Sequence, residues 1–137
     1  MTGPVSLCEV KSGLFRCKQH AAGLCQYCGR PFCAKHGERH ADGQEICHRR
    51  FCVEKRDDLV KHLVYKEVVD QRNQAERCGI EGCGSSPSGQ CVRCRGFFCS
   101  RHVEGREERI QVNQVLVPQL ASLCQHCFVR RPIWLRM

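Results

Sequence analysis

Two segments of the chain carry a sustained apolar period. Residues 54–77 contain no Cys, Gly or Pro, and Leu59, Val60, Leu63, Val64, Val68 and Val69 recur there at roughly helical spacing. The pattern predicts a linker helix over 55–77. Its apolar stripe is expected to pack on one or both neighbouring segments, and the alternative is a partner-binding or dimerising face. In residues 110–117 the run Ile-Gln-Val-Asn-Gln-Val-Leu-Val alternates as a strand does, which predicts a hairpin arm ended by Pro118. The last residues, 129–137, are basic and hold Trp134, the only tryptophan.

Elsewhere the informative positions are cysteines, and they repeat. Shifted by 66 residues, Cys17, Cys25, Cys28, Cys33 and His36 fall without a gap on Cys83, Cys91, Cys94, Cys99 and His102. Gly23 and Phe32 fall on Gly89 and Phe98, so that seven of twenty positions are identical. Each copy reads C-x7-C-x2-C-x4-C-x2-H. Because the identities are mostly metal-ligand types, a common metal geometry explains them better than a common outer surface. Phe32 and Phe98 read as small-core residues.

Cysteines flanking each copy complete the ligand count. Cys8, Cys47 and Cys52 accompany the first copy, and Cys78, Cys124 and Cys127 the second. Seven Cys and one His per copy make two tetrahedral zinc sites, and none of the 14 cysteines is left over. Only four residues separate the second pair from the third, too few to fold back onto one ion, so the pairs should interleave as a cross-brace. That assigns Cys8, Cys17, Cys33 and His36 to one site and Cys25, Cys28, Cys47 and Cys52 to another. The second copy likewise pairs Cys78 and Cys83 with Cys99 and His102, and Cys91 and Cys94 with Cys124 and Cys127.

Some positions leave alternatives open. His20 forms its own pair with Cys17 and rivals Cys8, while His40 and His48 rival members of the last pair. His62 and His126 read as surface or neighbouring histidines. Gly29 supplies the positive φ that a Cys-x2-Cys turn often needs. Arg95 stands in that place in the second copy, which predicts a distorted turn there. Cys33 with His36, and Cys99 with His102, are spaced to share a face on a first helical turn.

A chain of 137 residues with 14 cysteines is long enough for two very small domains, which need metal or disulfides to fold. Disulfides require an oxidising compartment, and the N-terminus shows no basic region followed by an apolar one. No run approaches 18 apolar residues. The expectation is a cytoplasmic protein, nuclear if eukaryotic, with thiolates on zinc and no membrane association. The formal charge of +8 invites a nucleic-acid reading. Fourteen thiolates and four divalent ions lower it by six, to about +2, which weakens that reading.

The stretch Cys25-Gln-Tyr-Cys-Gly-Arg-Pro-Phe-Cys33-Ala-Lys-His36 resembles the centre of B-box, AN1-type and FYVE-type zinc fingers, which share C-x2-C-x4-C-x2-[CH]. The segment from Cys17 through His40 is nearest a B-box. The resemblance implies a small zinc-stabilised α+β fold: two tandem treble-clef-like cross-brace fingers at 1–54 and 78–128, joined by a linker helix at 55–77 and followed by a tail at 129–137. The basic run with which FYVE fingers bind phosphoinositide is replaced here by Gly23-Leu24 and Gly89-Gln90.

Catalysis would need an open zinc position or a nucleophile with its base, and the sequence shows neither. The leading expectation is a non-enzymatic protein-interaction adaptor or accessory subunit, with partner contacts through the linker helix and the Trp134 tail. An E3-like adaptor of ubiquitin-type conjugation is an alternative by fold analogy. RNA or DNA binding through Arg49-Arg50, Lys55-Arg56, Arg106, Arg109 and Arg130-Arg131 is another.

Overall fold

The computed structural model describes residues 6–135. The chain divides into two compact units. Unit 1 holds residues 6–59 and 133–135, and unit 2 holds Val60–Pro132. Among the described residues every sheet is a two-stranded antiparallel ribbon. A ribbon of that size cannot bury a face and is marginal alone in water. The buried residues accordingly gather around sulfur. The core of unit 1 consists of five cysteines with Phe32 and Ile46, all under a tenth exposed, and that of unit 2 adds Val69, Phe98 and Leu123 to its own cysteines.

From the Cys-x2-Cys turn onward, the two units present the same kinds of element in the same order. In unit 1, β3 (Gly23–Leu24) and β4 (Pro31–Phe32) flank the Cys25–Cys28 turn, and β5 (Gly37–Arg39) pairs with β6 (Glu45–Cys47). Helix α1 (Arg50–Gln74) follows and carries Cys52 in its first turn. In unit 2, β7 (Gly89–Gln90) and β8 (Phe97–Phe98) flank the Cys91–Cys94 turn. The strands β9 (Val103–Val112) and β10 (Val115–Cys124) form a long hairpin, and α2 (Gln125–Val129) carries Cys127. A final short helix, α3, spans Arg131–Leu135.

The non-ligand identities of the repeat are explained by this arrangement. Gly23 pairs with Phe32, and Gly89 with Phe98, so the glycine lies directly across the ribbon from the buried ring. A Cβ on Gly23 would come within 3.0 Å of the Phe32 ring and 2.9 Å of Glu45. Eight residues lie between Cys8 and Cys17, against four between Cys78 and Cys83, and the extra length is taken up by a hairpin of β1 (Lys11–Ser12) and β2 (Phe15–Arg16) that turns at Gly13.

Several expectations are corrected. The helix starts at Arg50 rather than 55, inside the last ligand pair, and stops at Gln74. Its buried positions are Cys52, Lys55, Asp58 and Val69, whereas Val60, Leu63 and Val64 of the apolar stripe are exposed. Contacts with ligands and polar backbone, rather than apolar content, select the buried face. In unit 2, the Asn73 side chain pairs with both the N–H and the carbonyl of Phe97, and Arg72 donates to the carbonyls of Cys78 and Cys83. Pro118 does not end the arm. It lies within β10 opposite Arg109, and a two-stranded ribbon has open edges on which a missing N–H costs little. Cys33 and His36, like Cys99 and His102, are joined by a tight turn rather than a helix, closed by N–H···O bonds of 3.0 Å. No helix among the described residues is long and apolar enough to cross a membrane.

Candidate metal centres

Four groups of side chains converge, each with its donor atoms within 4.8 Å of one another. They are Cys8, Cys17, Cys33 and His36; Cys25, Cys28, Cys47 and Cys52; Cys78, Cys83, Cys99 and His102; and Cys91, Cys94, Cys124 and Cys127. Each unit has one group of three thiols and an imidazole and one of four thiols. The first and third ligand pairs meet, as do the second and fourth. Cys8 rather than His20 completes the first group, while His20 stays exposed and pairs through its backbone with Leu7. His40 and His48 lie outside the groups.

Local backbone brings the donors together. In the Cys25–Cys28 turn the N–H of Gly29 donates to the carbonyl of Cys25 at 2.8 Å, and in the second copy the N–H of Arg95 donates to that of Cys91 at 2.9 Å. The two residues have nearly equal positive φ, 71° for Gly29 and 62° for Arg95, so the second turn keeps the geometry of the first. Arg95 accepts the left-handed conformation at a cost of about 1–2 kcal/mol. Gly96 serves a different need, since a Cβ there would stand 2.5 Å from Val69 Cγ1.

The two groups of a unit are tied through its hairpin. Gly37, directly after His36, pairs with Cys47, and Val103, directly after His102, pairs with Cys124. One rung of β-ladder thus connects a ligand of the first group with a ligand of the second. This leaves the hairpin free to vary beyond that rung, with three-residue strands in unit 1 and ten-residue strands in unit 2.

The distances suit tetrahedral metal. Sulfurs about 2.3 Å from a tetrahedral zinc ion stand about 3.8 Å apart, and a sulfur and an imidazole nitrogen about 3.5 Å. The Cys17–Cys33, Cys28–Cys47 and Cys83–Cys99 sulfur pairs are 3.8 Å apart, and Cys94–Cys124 is 3.9 Å. His36 Nδ1 lies 3.5 and 3.3 Å from the Cys8 and Cys33 sulfurs, and His102 Nδ1 lies 3.4 and 3.2 Å from those of Cys78 and Cys99. A disulfide needs about 2.05 Å. All 14 cysteines are free thiols.

Peptide N–H groups favour the thiolate form these sites require. The backbone of Ser85 outweighs burial to lower the Cys83 thiol to about 6. Burial pushes the Cys25 thiol up, but backbone groups of Cys47, Cys28 and Tyr27 prevail and bring it to about 7. At Cys33 burial is likewise overcome, chiefly by the backbone of Lys35, and the thiol falls to about 7. Burial, with Cys25 and Cys47 beside it, raises Cys52 instead.

Two side chains that support the sulfurs lie outside the ligand pattern. Arg49 Nη1 donates to the Cys28 and Cys47 sulfurs, both at 3.4 Å, and the Tyr65 hydroxyl donates to the Cys124 sulfur at 3.2 Å. Tyr65 also stacks on His126, with ring centroids 3.8 Å apart. A tyrosine 59 residues from its sulfur leaves no trace in local spacing. Arg49, two residues from Cys47, could have been suspected from proximity alone.

No protein family, curated protein or solved structure matches the chain. The donor sets therefore stand as the basis for a functional reading. Each group offers four soft or borderline donors, holds one or no histidine and has no carboxylate, a composition that favours zinc over harder cations.

Proposed function

We propose that the chain is a non-enzymatic zinc protein, holding four ions in two treble-clef-like cross-brace fingers, which serves as a protein-interaction adaptor. The observation that carries this reading is the four-donor closure of every group, with edges that match zinc coordination. Four protein ligands leave no position for a substrate, so the ions would act as folding elements. The order of turn, hairpin and helix in each unit supports the treble-clef comparison, and the alternation of pairs supports the cross-brace.

The adaptor role is supported by exposed apolar side chains that the small cores do not use. Val60, Leu63 and Val64 lie three and four residues apart on α1, and Leu116 and Leu120 stand out from the hairpin arm. Trp134 contributes less than its solitary place in the sequence suggests. Its ring meets Tyr27 edge-on with centroids 5.6 Å apart, and its indole N–H donates to Asp58. Leu135, 75% exposed, is the apolar residue that α3 presents.

Native mass spectrometry is expected to find four zinc ions per chain, and two or fewer would defeat the cross-brace. For the adaptor role, photo-crosslinkers at Leu63 and Leu116 in the native host should capture a defined partner that Leu63→Arg or Leu116→Arg loses. Failure to crosslink any protein from either position would count against it.

A further inference from the structure

Unit 1 contains a cavity of about 340 Å³ whose wall is mostly apolar. It lies between Tyr27, Arg30, Arg49, Phe51 and Lys55, and two thiols of the four-thiol group, Cys28 and Cys52, complete its lining. Lys55 is the unusual member. It is only 9% exposed, and among the described residues it has no hydrogen-bond or ion-pair partner. Asp58, one turn further along α1, accepts the indole N–H of Trp134. Lysines so largely covered are normally paired, whereas the Lys55 ammonium, which keeps some contact with solvent, has no counterion of its own.

Two more polar atoms at this cavity point the same way. Tyr27 Oη and Arg49 Nη2 are both buried without a hydrogen-bond partner. Arg49 Nη1 is occupied by the Cys28 and Cys47 sulfurs, so Nη2 is the donor left over. An unpaired ammonium together with a buried guanidinium nitrogen and a buried hydroxyl around one apolar cavity forms a set of donors suited to an anion.

Charge indicates which kind. A four-thiolate centre holding a divalent ion carries 2−, while Arg30, Arg49 and Lys55 carry 3+, so the lining has an excess of +1. One negative charge balances it, and a phosphate dianion would overshoot. The apolar wall calls for an apolar group next to that charge, whereas the phosphates of a nucleic acid sit on a hydrated, open backbone.

We propose that this cavity binds a monocarboxylate carried on an apolar stem, supplied either by a protein chain or by a free organic acid. The inference uses the metal centre only for its charge and holds whether or not the chain is an adaptor.

The test is an NMR titration of the isotope-labelled, zinc-loaded full chain with 3-phenylpropionate, the neutral 3-phenylpropanol and inorganic phosphate. Phenylpropionate should shift Lys55, Phe51 and Tyr27 signals saturably, with Kd on the order of millimolar for so small a ligand. The alcohol should bind about tenfold or more weakly, since it forgoes the charge-assisted bonds. No saturable shift, equal binding of the alcohol, or tighter binding of phosphate would each overturn the proposal. Lys55→Met should weaken phenylpropionate about tenfold with zinc content unchanged. Unaltered affinity, or loss of zinc, would instead assign the ammonium to the metal centre and overturn it. The comparison of acid with alcohol needs no variant. Acetylated peptides then separate the sources. Tighter binding of one with a free terminal carboxylate, or of an amidated one with a Glu side chain, assigns the protein source, and no gain over phenylpropionate assigns the free acid.

Discussion

At the scale of single residues, the atoms next to the sulfurs matter as much as the sulfurs. The Tyr65 hydroxyl is a donor to Cys124, and partners of this kind are worth roughly ten- to a hundredfold in metal affinity. Tyr65→Phe is expected to keep the fold and to speed cobalt loss to a chelator by about tenfold, followed through the thiolate-to-cobalt absorption. Arg95 holds a positive φ that Gly29 adopts freely in the first copy, so Arg95→Gly should stabilise unit 2 by about 1 kcal/mol, read as a higher Tm. Acid should release metal. Cys83 and Cys33 sit at about 6 and about 7, against an ordinary 9.0. Folded values below the unfolded one mean that the thiolate contribution is complete above pH 9 and is lost as pH falls through about 7 and then 6. Bound zinc lowers the thiols further and displaces release toward more acid pH. A zinc indicator should therefore report release that rises steeply on acidification.

At the scale of elements, the hairpin is the part that differs most between the copies. The rung next to the histidine ligand is shared, and everything beyond it is elaboration. Replacing residues 107–120 with a two-residue turn should leave all four metal groups loaded, because the three-residue strands of β5 and β6 suffice in unit 1. Native mass spectrometry of the shortened chain checks this. The turn at Asn113 and Gln114, both with positive φ, matches the tight turn type that suits the twist of a ribbon. Helix α1 shows the limit of apolar periodicity. Its Leu and Val stripe is partly exposed because the helix is held by a ligand at Cys52, by Val69 and by the polar contacts of Arg72 and Asn73.

At the scale of the whole molecule, metal and fold are expected to be inseparable. Neither core has enough apolar residues to hold its short ribbons, and a structural zinc site supplies about 10–16 kcal/mol of binding free energy in peptides. His36→Ala and His102→Ala should each unfold mainly the unit that loses the ligand, seen as loss of dispersion in that unit's NMR signals while the other unit keeps its spectrum.

The sequence by itself determined the partition of ligands. Fourteen cysteines, a repeat of 66 and a four-residue gap between pairs leave little freedom in how tetrahedral sites can close, because ligand spacing is a local constraint. The choice of Cys8 over His20 belonged to the tertiary structure, since an eight-residue gap can close only once β1 and β2 form their hairpin. So did the face of α1 that is buried, the shared turn at Arg95 and the supporting donors Arg49 and Tyr65. Each depends on which groups distant segments bring together, and neither periodicity nor spacing carries that information.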